Sequence, residues 1–193
     1  VRVYYQPIIR TSDGKVCDEE ALARWVDPIL GFLSPGEFIP ALEESKLIYK
    51  LDLYVLEQVL EKMKRQRYAG LYLVPQSINL SRMDFESCDV VEEIRRRVDD
   101  AGIDRSMITV EITESVIGSD FDFMKAQVAR FRSLGFQVWL DDFGSGYSSL
   151  DVVQSMPFDL IKFDMELLRN LNDHNGANRR IIRAMVGVAR ELG

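Results

Sequence analysis

Acidic, amide and basic side chains stand near the C-terminal ends of successive predicted β-strands in this chain. In chain order they are Glu20, Asn79, Glu111, Asp141, Asp142, Lys162 and Asp164. If the strands run parallel, these ends meet at one edge of the sheet, and the side chains converge on a small volume. The spacing therefore predicts one site that contains five carboxylates, an amide and a lysine.

Carboxylates gathered in this way predict a site for divalent cations. Crowded carboxylates raise one another's pKa unless positive charge lies among them. Oxygen ligands suit Mg2+ or Mn2+, whereas zinc favours histidine or cysteine. Adjacent Asp141 and Asp142 could bridge and flank two ions, an arrangement that activates water in phosphoester cleavage. The single histidine, His174, falls in a predicted loop, so Lys162 is expected to help position the water.

Each of these residues also has a structural interpretation when it is taken alone. A Glu or Asp at a strand end is most often a helix N-cap or a surface group. Asn79 could equally form a cap or a turn, and Lys162 could be an ion-pair partner. Trp25 and Trp139 are more typical of a core than of a ligand-stacking site. The joint occurrence at one end of successive strands is what favours a functional site.

Short β-type runs alternate with helical patterns, which is typical of an α/β fold built on a parallel sheet. The predicted strands are Val3–Ile9, Val16–Ala23, Leu71–Asn79, Ile108–Ile112, Gln137–Asp141 and Leu160–Asp164. The predicted helices are Pro35–Glu44, Leu51–Arg67, Asp84–Ala101, Asp122–Leu134, Ser148–Ser155 and Asn178–Leu192. No linker or repeat interrupts this pattern, so a single domain is expected over residues 1–193.

The first connection is too short for a parallel crossover. Only Arg10–Lys15, with the turn signal Ser12-Asp13-Gly14, separates the first two strands, whereas a crossover needs about a dozen residues. The first strand is therefore predicted to be antiparallel to the second. A glycine-rich first turn, expected of an open doubly wound sheet, does not occur. A (β/α)8 TIM-like barrel has eight strands, so the six predicted here indicate such a barrel, truncated before its last strands.

Composition and charge restrict the class of protein. The chain is 47% hydrophobic and 28% charged, which is ordinary for a globular domain with one core. Its net charge is -7, and its basic run, Arg95–Arg97, lies in an acidic helical pattern, which argues against a nucleic-acid polymer as partner. No segment has the pattern of a membrane span or a signal peptide. Two cysteines, Cys17 and Cys88, are too few for a disulfide framework, so a cytoplasmic domain is expected, in a parent protein that could itself be membrane-anchored.

Several ordered motifs resemble those of the EAL domain family. Glu20-Ala21-Leu22, within EALARW, matches the signature tripeptide of that family. The tripeptide alone is a weak signal, but six further motifs occur in the family's order and make an accidental match implausible. They are YQPII at Tyr5–Ile9, SPGEFIPALEES at Ser34–Ser45, NLS at Asn79–Ser81, EITES at Glu111–Ser115, DDFGSGYSSL at Asp141–Leu150 and FDLIKFD at Phe158–Asp164.

The resemblance implies a (β/α)8-like barrel that hydrolyses cyclic di-GMP to linear pGpG with two Mg2+ or Mn2+ ions. The implied metal ligands are Glu20, Asn79, Glu111 and Asp141, with Asp142 serving the second metal. Lys162 is implied to orient the attacking water. The implied catalytic group consists of Lys162, Glu20, Asp142 and Glu114.

The resemblance also implies substrate contacts and partners. The implied contacts to the dinucleotide are Gln6, Leu22, Arg24 and Asp164, with Arg24 reaching a phosphate. Glu114 is implied to brace the loop DDFGSGYSS, in which Gly144 and Gly146 permit a tight backbone. Because this loop is associated with dimerisation in the family, a homodimer is expected, in a parent protein fused to GGDEF, PAS or other sensory domains.

Some residues depart from the family pattern. Asp18-Glu19 stand where many members have an apolar residue, Pro75-Gln76 interrupts the third strand, and Phe163-Asp164-Met165 replaces the commoner Ile-Asp-Arg. None of these changes removes an implied ligand, which favours an enzyme. The family's later Glu-Gly-Val-Glu segment, with another catalytic glutamate, has no counterpart in the 193 residues. The alternatives are thus a catalytically impaired EAL domain acting as a cyclic di-GMP receptor or regulatory module, and an unrelated Mg2+-dependent barrel enzyme.

Overall fold

The fold is an α/β arrangement around one seven-stranded sheet. It comes from a computed structural model that describes residues 1–118, 120–144, 150–169 and 176–192. The strands are β1 Arg2–Ile9, β2 Val16–Asp27, β3 Gly31–Leu33, β4 Gln76–Leu80, β5 Ile108–Thr113, β6 Gln137–Phe143 and β7 Leu160–Phe163. The helices of the described part are α1 Pro35–Glu44, α2 Ile48–Tyr68, α3 Arg82–Ser87, α4 Val90–Asp100, α5 Glu114–Ile117, α6 Phe121–Ser133, α7 Leu150–Ser155, α8 Met165–Arg169 and α9 Ala177–Leu192.

The order of the strands gives the sheet an inner and an outer face. The order is β1-β2-β4-β5-β6-β7, with β1 antiparallel to β2 and the later neighbours parallel. Right-handed crossovers between sequential neighbours place every connecting helix on the same side of the sheet. The helices therefore cover the outer face, and the inner face lines the lumen of a partial (β/α)8-like barrel. The predicted fold class and the antiparallel first strand are confirmed.

The hydrophobic core lies between the outer face and helices α2, α4 and α6. Its fully buried members include Leu56, Val59, Met63, Val91, Ile94, Val128, Phe131, Ile108, Val110, Ile112, Val138 and Leu140. Successive side chains of a strand alternate between the two faces. Because the apolar residues of β5 and β6 face the helices, the intervening polar residues face the lumen.

Two of the departures from the family pattern form a polar contact on the outer face. Gln76 Nε2 donates to Glu19 Oε2 at 2.7 Å, and Lys62 of α2 donates to Gln76 Oε1 at 2.9 Å and to Glu19. The Lys62 ammonium also lies 3.6 Å from the centre of the Tyr5 ring. Glu19 and Gln76 therefore attach α2 to the sheet and are not part of the lumen.

Two predicted element boundaries were wrong. Strand β4 begins at Gln76 and not at Leu71, because Pro75 has no N–H with which to continue the ladder. The helix predicted over Asp84–Ala101 is two helices, α3 and α4. The break occurs at Cys88, whose backbone is extended, and Asp89 then caps α4 by accepting from the Glu92 N–H at 3.2 Å.

The sequence patterns also missed the hairpin formed by β2 and β3, and the short helices α5 and α8. In the hairpin, Asp27 Oδ1 accepts from the N–H groups of Ile29 and Leu30 at 2.8 and 2.9 Å, and Gly31 adopts a φ of 78°. Of the predicted Ser148–Ser155 helix, residues 148 and 149 lie outside the described part, as does His174. Cys17 and Cys88 are both free. Among the helices that the structure describes, none is long and apolar enough to cross a membrane.

Two carboxyl groups meet between α2 and α3. Asp84 is fully buried, and its Oδ2 accepts from the Ser81 N–H at 2.6 Å, which caps the start of α3. Burial raises the pKa of Asp84 to about 6, and nearby Glu43 acts in the same direction. Burial, followed by the charge of Asp84, raises the pKa of Asp52 on α2 well above its ordinary value. The two raised pKa values predict that the carboxyl groups share a proton in the folded protein.

Replacing Asp84 with asparagine should abolish much of the decrease in stability that this protein shows between pH 5.5 and pH 8. An unfolded Asp has a pKa of about 3.9. The folded pKa values of Asp84 and Asp52 are raised. The contribution of these carboxyl groups to stability is therefore present at low pH and is lost as the pH rises through about 6. Asparagine can still cap α3 and can donate to Asp52 without titrating. We expect the variant to be more stable than the wild type by about 2 kcal/mol at pH 8.

Urea unfolding at pH 5.5 and pH 8 measures this difference. Asp100→Asn is the matched control, because Asp100 is an exposed residue on α4 whose side chain is 70% accessible. An Asp84→Asn variant that is less stable than the wild type at both pH values would contradict a shared proton.

Candidate metal and catalytic site

Three carboxylates from different strands meet at the C-terminal mouth of the sheet. Glu20 of β2, Glu111 of β5 and Asp141 of β6 each offer an oxygen that lies within 4.8 Å of the other two. Glu111 is completely buried, and Glu20 and Asp141 are partly buried. The structure thus brings together three of the residues that the sequence predicted to converge.

The Lys162 side chain, from β7, lies at the centre of these carboxylates. Its Nζ donates to Glu111 Oε2 at 2.7 Å and to Glu20 Oε2 and Asp141 Oδ2 at 3.1 Å each. Burial acts to lower the pKa of Lys162, but the carboxylates, with Glu111 first, outweigh it and the pKa is raised. The lysine therefore stays charged at neutral pH, and the site already holds one cation by oxygen contacts.

Asn79 joins the same group from β4. Its Nδ2 donates to Glu20 Oε1 at 3.2 Å, and its Cα is paired in register with that of Glu111. The predicted ligands Glu20, Asn79, Glu111 and Asp141 thus all lie at one place. Their role as metal ligands remains a prediction.

Glu111 carries the clearest sign that these residues fit a metal ion. Burial, followed by the charge of Glu20, raises the pKa of Glu111 to about 7, while Lys162 and the Ser77 hydroxyl oppose the rise. Glu111 Oε1 is buried and has no hydrogen-bond partner among the described residues. A buried carboxylate oxygen needs a donor or a cation. The surrounding donors are oxygens, which is the ligand set of Mg2+ or Mn2+.

Asp142 lies beside the three carboxylates at a bulge in β6. The pairing with β7 shifts register between Leu140 and Phe143, and Asp142 adopts a φ of 51°, in the left-handed region. Its N–H donates to Asp141 Oδ1 at 2.9 Å. Burial, then the charges of Asp141 and Asp164, raise the pKa of Asp142. Neighbours in a regular strand point to opposite faces, so the bulge is what keeps both carboxylates near one another.

Glu114 stands at the start of α5 and is buried. In the loop DDFGSGYSS that Glu114 was predicted to brace, Gly144 has a φ of 98°, as expected of a tight backbone. Gly146 and the rest of residues 145–149 lie outside the described part of the chain. The bracing role of Glu114 therefore stays a prediction.

The predicted substrate contacts line β1 and β2 next to Glu20, together with the end of β7. Gln6 is paired in register with Glu20, and Leu22 and Arg24 follow Glu20 on the same face of β2. Arg24 Nη1 donates to the Ala23 carbonyl at 2.8 Å. The Asp164 N–H donates to the Phe143 carbonyl at 3.0 Å, which ties the end of β7 to the β6 bulge. Their contact with a dinucleotide remains a prediction.

Sequence reasoning missed a layer of polar residues beneath the site. Asp18, Ser77 and Thr109 are buried, and each precedes a predicted ligand by two positions on its strand. A period of two places them on the same face as Glu20, Asn79 and Glu111. A polar residue two positions before each ligand was the signal that could have revealed this layer.

The sequence profile of the EAL domain matches residues 1–193, the whole chain. The chain is 35% identical over 192 residues to an uncharacterized signaling protein of Caulobacter vibrioides and 30% identical over 192 residues to the cyclic di-GMP phosphodiesterase NbdA of Pseudomonas aeruginosa. These matches cover 98% and 100% of this chain but 23% and 24% of the two relatives. The chain thus spans about a quarter of the length of these relatives.

Comparison with solved structures agrees with the sequence. The PaMucR phosphodiesterase, solved as a c-di-GMP complex, superimposes with a TM-score of 0.89 at 29% identity. The match covers 99% of this chain and 77% of the PaMucR chain. The whole-length profile match, the similarity to these proteins and the fold agree: this chain belongs to the EAL domain family.

Proposed function

We propose that this chain is the catalytic domain of a phosphodiesterase that hydrolyses cyclic di-GMP to linear pGpG. The observation that carries the proposal is the meeting of Glu20, Glu111 and Asp141 around Lys162, with Asn79 bonded to Glu20. NbdA, which is named a cyclic di-GMP phosphodiesterase, and PaMucR, solved with c-di-GMP, support the same substrate. Every position that the family resemblance assigns to a ligand within this chain holds the expected residue, which favours an enzyme over a receptor.

The proposed reaction adds the oxygen of one water molecule to a phosphorus atom of the cyclic dinucleotide. One P–O3′ bond of the ring breaks, and a proton passes to the leaving 3′ oxygen. Two Mg2+ or Mn2+ ions held by Glu20, Asn79, Glu111, Asp141 and Asp142 would supply Lewis-acid activation of water and of the phosphoryl oxygen. Lys162, charged because of its carboxylate neighbours, is proposed to orient the attacking water, for which one of its three N–H groups must leave the carboxylate that accepts it here.

The remaining predicted residues would hold and orient the dinucleotide. Arg24, on the same face of β2 as Glu20, offers a guanidinium group that can bind a phosphate. Gln6 and Leu22 extend this surface, and Asp164 lies at the end of β7 next to the β6 bulge. Glu114 is proposed to stabilise the β6–α7 loop and through it the position of Asp142.

Removal of divalent metal is expected to lower turnover by at least about a thousandfold, because water activation depends on the ions. The test uses the natural protein, and follows conversion of cyclic di-GMP to pGpG by chromatography. EDTA should abolish conversion, and Mg2+ or Mn2+ should restore it. Binding without cleavage in any metal would establish the receptor alternative. A protein that shows no binding and no cleavage of cyclic di-GMP would refute the proposal.

The proposed partners and location follow the family resemblance. The protein is proposed to be cytoplasmic at this domain, to form a homodimer, and to carry GGDEF, PAS or other sensory domains beside it. The extent of the NbdA match, which covers 24% of that protein, supports a larger parent. Sedimentation of the natural protein tests the dimer, since a monomer at all concentrations would exclude it.

A further inference from the structure

A second polar layer lies in the barrel lumen directly beneath the proposed ligands. It consists of Asp18, Ser77 and Thr109, which are 2%, 0% and 0% exposed. The Cα atom of Ser77 is in register with that of Glu20 on one side and with that of Thr109 on the other. Thr109 Oγ1 donates to Asp18 Oδ2 at 3.5 Å, so the Asp18 side chain reaches from β2 across β4 to β5. Ser77, the lumen residue of β4 at this level, therefore lies between Asp18 and Thr109.

Three buried polar atoms of this region have no hydrogen-bond partner among the residues that the structure describes. They are Asp18 Oδ1, Ser77 Oγ and Glu111 Oε1. Glu111 stands two residues after Thr109 on the same face of β5. The Ser77 hydroxyl also lies near enough to Glu111 to oppose the rise in its pKa, of which burial is the largest cause.

The hydrogen-bonding capacities of these atoms do not balance within the protein. Two of the three are carboxyl oxygens, which only accept hydrogen bonds when the carboxyl groups are ionised, and the serine hydroxyl has a single hydrogen to donate. One serine can therefore satisfy only one of them at a time. A water molecule that accepts from Ser77 and donates to both carboxylates satisfies all three, and three bonds are typical of a buried water.

We propose that Ser77 and Asp18 are positioning residues that hold one internal water molecule against Glu111 Oε1, on the inner side of the metal centre. Lys162 bonds the other oxygen, Glu111 Oε2. The carboxylate is then held from both sides, with its plane fixed before a metal ion binds. Groups of this kind, which orient a ligand without touching the metal, commonly change metal affinity by about 10- to 100-fold. The inference rests on the proposed function only in treating Glu111 as a metal ligand.

Two variants of nearly identical shape separate hydrogen bonding from packing. Ser77→Thr keeps the hydroxyl, whereas Ser77→Val replaces it with a methyl group. In the natural protein, we expect Ser77→Val to weaken Mn2+ binding, measured by electron paramagnetic resonance, by at least about tenfold. Ser77→Thr should stay within about threefold of the wild type. Ser133→Ala, which removes an exposed hydroxyl on α6, is the control and should leave the affinity unchanged.

The inference is overturned if the Thr and Val variants weaken Mn2+ binding equally, or if neither does. A crystal structure that shows ordered water gives an independent measurement, also when the variants fail to fold. A peak within hydrogen-bonding distance of Asp18 Oδ1, Ser77 Oγ and Glu111 Oε1 supports the inference, and the absence of a peak there refutes it. A wild type that binds no Mn2+ would instead refute the metal-dependent function, while the water peak still decides the inference.

Discussion

Glu111→Gln is expected to lower the hydrolysis of cyclic di-GMP by about a thousandfold, since loss of one group that stabilises transition-state charge in a buried site costs about 10² to 10³ in kcat. Glu111 is completely buried, accepts from Lys162 at 2.7 Å, and is one of the three carboxylates whose oxygens lie within 4.8 Å of one another. Glutamine keeps the shape of the side chain but removes its charge. One of its two terminal atoms becomes an NH2 group, which cannot bind a metal and repels the lysine ammonium.

The same substitution should leave dinucleotide binding and folding nearly intact. The substrate phosphates are anionic, so the loss of a negative charge does not weaken their electrostatic attraction to the site. Burial already raises the pKa of Glu111 to about 7, so a neutral amide is tolerated at this position. Turnover, cyclic di-GMP affinity and thermal unfolding are measured on the same preparation.

Glu61→Gln provides the matched control for this prediction. Glu61 lies on α2, pairs with Lys64 at the surface and has a side chain that is 57% accessible. Its replacement should change none of the three measurements. A Glu111→Gln enzyme that retains a tenth or more of wild-type turnover would exclude Glu111 from the catalytic group.

The second large effect is expected on stability, when Lys162 is replaced by methionine in protein free of divalent metal. This lysine is the cation that bonds Glu20, Glu111 and Asp141. Removing one partner of a partly buried ionic cluster leaves the others uncompensated and costs about 3 kcal/mol. In EDTA, the variant should therefore unfold at a markedly lower urea concentration than the wild type at pH 8.

The loss should be smaller at pH 6 than at pH 8. Without the lysine, the pKa of Glu111 rises further in the folded state, because Lys162 is one of the groups that oppose its rise. A carboxyl group with a raised folded pKa contributes stability at low pH that is lost as the pH rises through that pKa. The difference in unfolding free energy between the variant and the wild type therefore increases from pH 6 to pH 8.

Added Mn2+ should reduce the difference in stability between the Lys162→Met variant and the wild type at pH 8, because a divalent ion replaces the missing positive charge. Lys125→Met, the same exchange at an exposed position on α6, serves as the control and should have little effect in either condition. Equal stabilities of the Lys162→Met variant and the wild type at pH 8 in EDTA would mean that the carboxylates do not depend on the lysine for charge balance.

The sequence by itself determined the fold class and most members of the proposed site. Period-two alternation and short polar runs at strand ends are local properties, and they are sufficient to locate Glu20, Asn79, Glu111, Asp141 and Lys162. The six-residue connection Arg10–Lys15 was sufficient to predict the antiparallel first strand, because chain length alone forbids a crossover. The EAL motifs added the expected chemistry.

Only the tertiary structure decided which of these groups touch and what lies beneath them. The left-handed Asp142 depends on a register shift between β6 and β7, and register is a relation between strands far apart in sequence. The raised pKa values of Asp52 and Asp84 depend on how α2 packs against α3. The unpartnered atoms of Asp18, Ser77 and Glu111 come from three different strands. Burial and hydrogen-bond balance are set by such distant neighbours, so local sequence patterns do not predict them.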